Sequence, residues 1–448
     1  MIELTKEYIE HLRDVIELKD ETAAVNMLQE LYPADIAELF QELDLDEAIY
    51  LYMLMDGEKA ADVLMELDEE DRRKLLKELP SELIAKRFID FMETDDAVDL
   101  MRELDEDTQE EILSHIEDVE QAGDIVDLLK YDEDTAGGLM GTEMIVVNEN
   151  WSMPKCLEEM RSQAEEMDEI YYVYVVDDDE RLRGVLPLKK MITSPSVSKI
   201  KHVMKKDPIA VKDSDSIEEV AQTIEKYDLV ALPVIDSIGR LVGRITIDDV
   251  MDEVREQHER DYQLASGISQ DVETSDNVIL QTAARLPWLL IGMIGGLGNS
   301  VLLGGFESSF AANPKMALFI PLIGGTGGNV GIQSSAIVVQ GLANNSLKQG
   351  NVWKQIVKES AVSLINASII SLVVFIYNFF MLNNRAITAS VSLSLFAVVM
   401  FASIFGTLVP MTLDRFKIDP ALATGPFISI TNDIIGMMIY MFITAALS

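Results

Sequence analysis

Asp433 is the only charged side chain between Asp419 and Ser448, and it sits midway along an otherwise apolar segment. A carboxylate near the centre of a bilayer costs about 2.5–3.5 kcal/mol on insertion scales, so it is kept where it faces a polar cavity, a partner or a cation. That chemistry makes this half of the chain a candidate ion pathway; the alternative is an aspartate that glues helices together by hydrogen bonds. A second oxygen-bearing stretch is PLIGGTGGNVGIQSSA (321–336), where Gly324, Gly325, Gly327, Gly328 and Gly331 weaken a helix interior. Glycine there either permits close helix contact or lets backbone carbonyls face a pore. Asn329 and Gln333 add side-chain oxygens one helical turn apart. In DPALATGPFISITNDIIG (419–436), Gly425-Pro426 interrupts the helix about two turns ahead of Asp433, a pattern shared with intramembrane ion sites.

The chain that must hold these residues has two unlike halves. Residues 1–284 carry 28 Lys/Arg and 73 Asp/Glu, a net charge of −45, whereas 285–448 carry 8 and 5, a net of +3. An acidic region of this density repels nucleic acid and anionic lipid and attracts cations or basic partners, although many of its charges are solvated helix faces. The single cysteine, Cys156, excludes an internal disulfide and a thiolate metal cluster. His11, His115, His202 and His258 are too scattered for a zinc or copper site. Metal chemistry must then rest on oxygen ligands, which suit magnesium, calcium or manganese. No Ser/His/Asp or Cys/His grouping and no phosphate-binding loop ending in Lys-Ser/Thr is present, so an enzyme is not expected.

Five apolar segments, 286–306, 316–342, 356–382, 389–413 and 420–447, are each long enough to cross ~30 Å of hydrocarbon. Lys358 and Glu359, near the start of the third, are the only charges in the first four. The N-terminus is charged and amphipathic with no signal-peptide stretch, which places the soluble part in the cytosol. Lys348, Lys354, Lys358, Arg415 and Lys417 then fall inside and only Lys315 and Arg385 outside, in line with the positive-inside bias, and the C-terminus faces outward.

Before these segments the texture changes twice. Up to about Lys130, apolar residues recur at helical spacing in short units such as 34–44, 58–68 and 71–80, each closed by Asp, Pro or Gly, which predicts a stack of short helices. From Leu139 an internal repeat follows: 139–160 corresponds to 203–224, and 174–192 to 233–251. Each copy reads as strand, helix, strand, turn, strand, helix. The pair resembles tandem cystathionine-β-synthase (CBS) domains, regulatory modules that often bind adenosine nucleotides. That resemblance makes Asp248, in GRITIDD (243–249), a ribose-contact candidate; the first copy has Lys189 and Lys190 in place of the carboxylate. A charged helix over 248–266 connects this pair to the apolar segments.

Taken in order, the helical domain, YDEDTAGGLM (131–140), the CBS pair, the connecting helix, GTGGNVGIQ (325–333) and DPALATGPFISITND (419–433) resemble the MgtE family of magnesium channels and transporters over nearly the whole chain. The resemblance implies a multidomain fold: an all-α helical domain over 1–132, α/β CBS copies over 133–200 and 201–250, a connecting helix over 251–278 and an all-α membrane domain of five helices over 279–448. It implies a homodimer in the inner membrane with its pore between subunits, Asp433 as the pore aspartate, and a largely hydrated Mg2+ held near Gly325, Gly328 and Asn329. Magnesium keeps its waters and its octahedral geometry, so the site would read a hydrated ion. The resemblance also assigns cytosolic magnesium, which closes the pore, to Asp62, Asp95, Asp99, the Gly138 carbonyl, Glu218, Asp228, Asp249, Asp252, Asp261 and Asp419, and allows ATP at the CBS pair. The sequence departs from the family at Ile332, and at Gln257 and Arg260 where acids are expected. Two rivals stand beside this reading: a secondary transporter of another divalent cation such as Co2+ or Mn2+, proton-coupled through Asp433, and a non-transporting membrane magnesium sensor.

Overall fold

A computed structural model describes residues 4–164, 167, 170–270, 272, 277–343, 352–382, 384–423 and 425–447. Lys348, used above for orientation, lies outside the described residues. The chain divides into two compact units, Met1–Arg255 and Glu256–Ser448.

The first unit opens with helices α1 (Lys6–Glu17), α2 (Glu21–Gln29), α3 (Pro33–Gln41), α4 (Leu45–Leu54), α5 (Gly57–Met65), α6 (Glu69–Glu78), α7 (Ser81–Arg87), α8 (Thr94–Arg102), α9 (Glu106–Leu113) and α10 (Val119–Leu128). Part of the acidity is structural here. The side chains of Asp20, Asp56, Asp105 and Asp118 each accept from a backbone N–H in the first turn of the helix they precede, and acids in that turn complement the helix dipole. The apolar faces converge on Leu28, Ile36, Leu51, Leu64 and Ile84, all buried. Tyr52 stands edge-on between Phe40 and Phe88 at ring separations of 4.8 and 5.8 Å.

The repeat then folds as two sheets. In the first, β1 (Ile145–Asn148) pairs parallel with β2 (Val173–Val176), which pairs antiparallel with β3 (Leu182–Leu186). In the second, β5 (Val211–Lys212), β6 (Ala231–Ile235) and β7 (Leu241–Thr246) repeat that order. Helices α11 (Met153–Gln163), α12 (Leu188–Thr193), α13 (Ile200–Val203) and α14 (Ile217–Tyr227) complete the copies. The copies are interlocked. β4 (Lys205–Lys206), which precedes the second copy, joins β3 of the first, and Gly141, which precedes the first, exchanges two hydrogen bonds of 2.9 Å with Arg244 on β7 of the second. Their equivalent turns meet as well, through Leu182 N–H to the Gly239 carbonyl and Leu241 N–H to that of Glu180.

From β7 the chain runs into α15 (Ile247–Ala265). The second unit holds α16 (Val278–Gly304), α17 (Glu307–Ala312), α18 (Ile320–Ala343), α19 (Val352–Met381), α20 (Arg385–Arg415) and α21 (Gly425–Leu447). Among the described residues, four helices are long and apolar enough to cross a membrane: Val278–Gly304, Trp353–Met381, Arg385–Arg415 and Gly425–Leu447. α18 spans 24 residues and carries the glycine and polar stretch read above. α20 is the central helix, buried along its length from Ile387 to Pro410. Gly425-Pro426 begins α21 rather than interrupting it. Gly425 has φ +40° and lies against the Ala265 carbonyl at the end of α15, where a Cβ would collide; both conditions demand glycine.

Candidate metal sites

In the second unit, Asp433, Gly325, Gly328 and Asn329 line one pocket of about 290 Å³, together with Asn299 and Ser429. α21 brings Asp433 and, one turn earlier, Ser429; α18 brings the glycines and Asn329; α16 brings Asn299. The glycines make this approach feasible. A Cβ on Gly324 would stand 3.3 Å from Asp433 Oδ1, and one on Gly328 would stand 3.2 Å from Ser429 Oγ and 3.7 Å from Asp433 Oδ1. At Gly325 nothing lies within 4 Å of that position. Asp433 is half-buried, and no described side chain donates a hydrogen bond or offers a counter-charge to it. The Asn299 Oδ1 is buried without a partner. A carboxylate, two amide oxygens and a hydroxyl around such a volume form an oxygen-only site suited to a hard cation that keeps its water. Asn299 and Ser429 escaped the sequence reading because an uncharged polar residue in an apolar helix has many packing explanations.

In the first unit, Glu93, Asp95 and Glu143 each bring an oxygen within 4.8 Å of the other two. Thr94, buried between them, orients Glu143 through its N–H (2.9 Å) and its hydroxyl (3.0 Å). Arg244 from β7 donates to both oxygens of Glu93, at 2.8 and 2.7 Å. Asp96, Asp99, Asp62 and Asp249 extend the group. Removal from water and then the Asp249 carboxylate raise Asp95 well above the ordinary carboxylate range. Burial and the charges of Asp249, Asp99, Glu93 and Asp62 push Asp96 up to about 7. Shielding from water raises Asp99 to about 6, against the pull of Arg102. Asp249 is raised by burial and by Asp248, while Thr246, bonded to it through N–H and hydroxyl, opposes the shift.

The remaining expected positions are dispersed. Arg102 donates to the Gly138 carbonyl at 3.1 Å, so that acceptor already has a protein cation. Glu218 and Asp228 are exposed at the two ends of α14. Asp252 pairs with Arg255 at 3.3 Å. Asp248 is exposed at the start of α15. In the second unit Asp261 accepts from Gln257 at 3.1 Å, and burial followed by the Asp419 charge raises it. Asp419 itself caps Ala421 N–H at 2.7 Å. Arg260 bonds Gln257 and Glu256 on its own helix. Glu93, Asp96 and Glu143 were not singled out in the sequence; ETDD (93–96) shows only that acids are adjacent, and Glu143 joins them through the fold.

Comparison with known proteins fits this architecture. Residues 320–443 match the MgtE family, described as divalent cation transporters, 10–134 match the MgtE intracellular N domain, and 136–195 and 200–256 match CBS domains. The magnesium transporter MgtE of Enterococcus faecalis is 33% identical over 72% of this chain and 71% of its own, and that of Thermus thermophilus is 33% identical over 70% of each. Among solved structures, the soluble part of a magnesium transporter aligns with a TM-score of 0.51 at 30% identity, over 56% of this chain and 98% of that one. The cytosolic domain of the magnesium channel MgtE in complex with ATP aligns at 0.52 and 31%, over 55% of this chain and 99% of that one. With all of its domains matched in order, the chain belongs to the MgtE family.

Proposed function

We propose that this protein carries magnesium across the inner membrane through the pocket at Asp433 and is closed by cytosolic magnesium bound to its acidic domains. The observation that carries this reading is the pocket: Gly325, Gly328 and Asn329 from one helix and Asp433 from another, about a hundred residues on, line one oxygen-rich volume among apolar helices. Five helices, the four long apolar ones and α18, span the membrane, with the N-terminal and CBS domains cytosolic and the C-terminus outside. Domain limits are 1–132, 133–200, 201–250, 251–278 and 279–448. Two subunits form the homodimer, and paired Asp433 carboxylates favour a divalent over a monovalent ion because its charge neutralises both. The hydrated ion sits against Asp433 and the oxygens around Gly325, Gly328 and Asn329.

Regulatory ions bind at Asp62, Asp95, Asp99, Asp249 and their neighbours, and at Asp261 and Asp419, with Glu218, Asp228, Asp252 and Gly138 completing the set. Unscreened carboxylates repel and favour the open arrangement, while bridging cations favour the compact one; closure follows from tighter binding to the compact state. ATP occupies the CBS pair with Asp248 as its contact.

The test is magnesium uptake into liposomes holding the purified protein, with no proton or sodium gradient, beside Asp433→Asn. Wild-type flux that the substitution abolishes supports a passive pathway through this carboxylate. Flux that appears only with a proton gradient would transfer the reading to a coupled transporter, and no flux under either condition to a sensor.

A further inference from the structure

Glu359 is the only acidic side chain within the first four apolar segments, and it does not line the pocket at Asp433. It is 8% exposed on α19. The buried positions of that helix, among the described residues, are Glu359, Ser363, Ala367, Ser371 and Asn378, while Leu364, Leu372, Phe375 and Phe379 are exposed. Three helices meet at its carboxylate. Ser334 of α18 donates to Glu359 Oε1 at 2.7 Å, Ser403 of α20 donates to the same oxygen, and the two serine oxygens lie 2.9 Å apart. Both serines are buried. One turn away on each helix, Gly331 and Gly406 are in backbone contact, since a Cβ on Gly406 would collide with the Gly331 carbonyl. α18 and α20 therefore cross at two consecutive points, one steric and one polar.

The polar point governs the pocket through α18. Ser334 lies six and nine residues beyond Gly328 and Gly325, which is roughly 240° and 180° around the helix and about 9–14 Å along it. The helix presents its pocket residues on one side and is held by Glu359 from the other. A single carboxylate oxygen can accept both hydroxyls, whereas an apolar side chain accepts neither.

We propose that Glu359 is a positioning residue for the cation pocket: as the shared acceptor of Ser334 and Ser403 it fixes the rotation of α18, keeping Gly325, Gly328 and Asn329 turned towards Asp433. This rests on the reading of that pocket as the ion pathway. The polar point complements the glycine contact, which sets the distance between the helices but leaves them free to roll.

Two measurements test it on the full-length protein. The first is the ratio of Mg2+ to Ca2+ flux in liposomes for wild type, Glu359→Gln, Glu359→Ala and the double variant Ser334→Ala/Ser403→Ala, each checked by size-exclusion elution and thermal midpoint. Glu359→Gln keeps an acceptor oxygen in place and retains wild-type flux and discrimination. The other two lose discrimination, with Mg2+ flux down roughly tenfold or more. The second is the rate of thiol modification of Asn329→Cys in a Cys156→Ser background, which reports the rotation of α18 whether or not ions flow. That rate changes severalfold with Glu359→Ala and is unchanged with Glu359→Gln. Equal rates and equal discrimination in Glu359→Ala and wild type overturn the proposal. So does a defect in Glu359→Gln as large as in Glu359→Ala beside a normal double-serine variant, because charge rather than the shared acceptor would then be acting. Should Glu359→Ala not fold, the double-serine variant decides alone by the same two readouts. Failure of the pocket reading looks different: wild-type flux would be insensitive to Asp433→Asn while the thiol rates still decide the role of Glu359.

Discussion

Gly328 and Gly331, one turn apart on α18, differ in what an added methyl group would meet. At 328 it would stand 3.2 Å from Ser429 Oγ and 3.7 Å from Asp433 Oδ1, inside the pocket; at 331 it would collide with Asn432 and Ile428 in packed protein. Gly328→Ala is therefore expected to lower magnesium flux at least tenfold with little change in thermal midpoint, since it removes room for a hydrated ion without disturbing the core. Gly331→Ala is expected to destabilise the second unit by about 1–3 kcal/mol, the usual cost of overpacking. Flux and thermal midpoint measured on both variants check the split, and equal flux in Gly328→Ala and wild type would remove the pocket from the pathway. Sequence alone reached Asp433 because a charge in an apolar run is conspicuous, and reached the glycines because their density is. It could not reach Asn299, which enters from α16, or Asp96, whose carboxylate differs from its acidic neighbours only by what the fold packs around it.

At the scale of elements, the joint between α15 and α21 is the place where a backbone requirement connects the connecting helix to the helix of Asp433. Gly425 holds a left-handed φ of +40° against the Ala265 carbonyl, and Gly267, with φ +81°, lies against Pro426. A side chain at 425 meets both the conformational penalty, about 1–2 kcal/mol, and the collision. Gly425→Ala should therefore separate the end of α15 from the start of α21. Under the proposed function its expected effect is a pore that still conducts but needs more cytosolic magnesium to close, read as a rightward shift of flux inhibition against internal magnesium. Unchanged inhibition would mean that this joint transmits nothing. The sequence marked Gly-Pro as special and gave it the wrong local form, because a break within a helix and a tight start are alike until the Ala265 contact is known. The repeat was legible as strands and helices from its alternation, whereas the exchange of β4 and Gly141 between copies was not, since it depends on pairing across the whole repeat.

For the whole molecule the deciding quantity is the net charge of −45 on residues 1–284, part of which crowds together at Asp62, Asp95, Asp96, Asp99 and Asp249. Sequence composition revealed the excess of acid; which acids repel one another is a property of the folded domain. Asp96 at about 7 and Asp99 at about 6 bind protons in the packed state that the unfolded chain, near 3.8, has already released. The packed state thus holds more protons than the unfolded one between these values, so stability falls as pH rises from about 4 to about 7 and levels off above. Arg102, beside Asp99, moderates this without reversing it. Under the proposed function, magnesium takes the protons' place only where the carboxylates are ionised, so its stabilisation is expected to grow over the same interval. In chelator the thermal midpoint of the soluble transition is expected to be lower at pH 8 than at pH 5.5, and the rise on adding magnesium to be larger at pH 8. Asn at both 96 and 99 should flatten the chelator profile. A midpoint that climbs with pH in chelator would mean that the Arg102 and Arg244 pairings outweigh the repulsion. The acidic group would then be a self-neutralised structural feature, and magnesium would have no unpaid charge there through which to act.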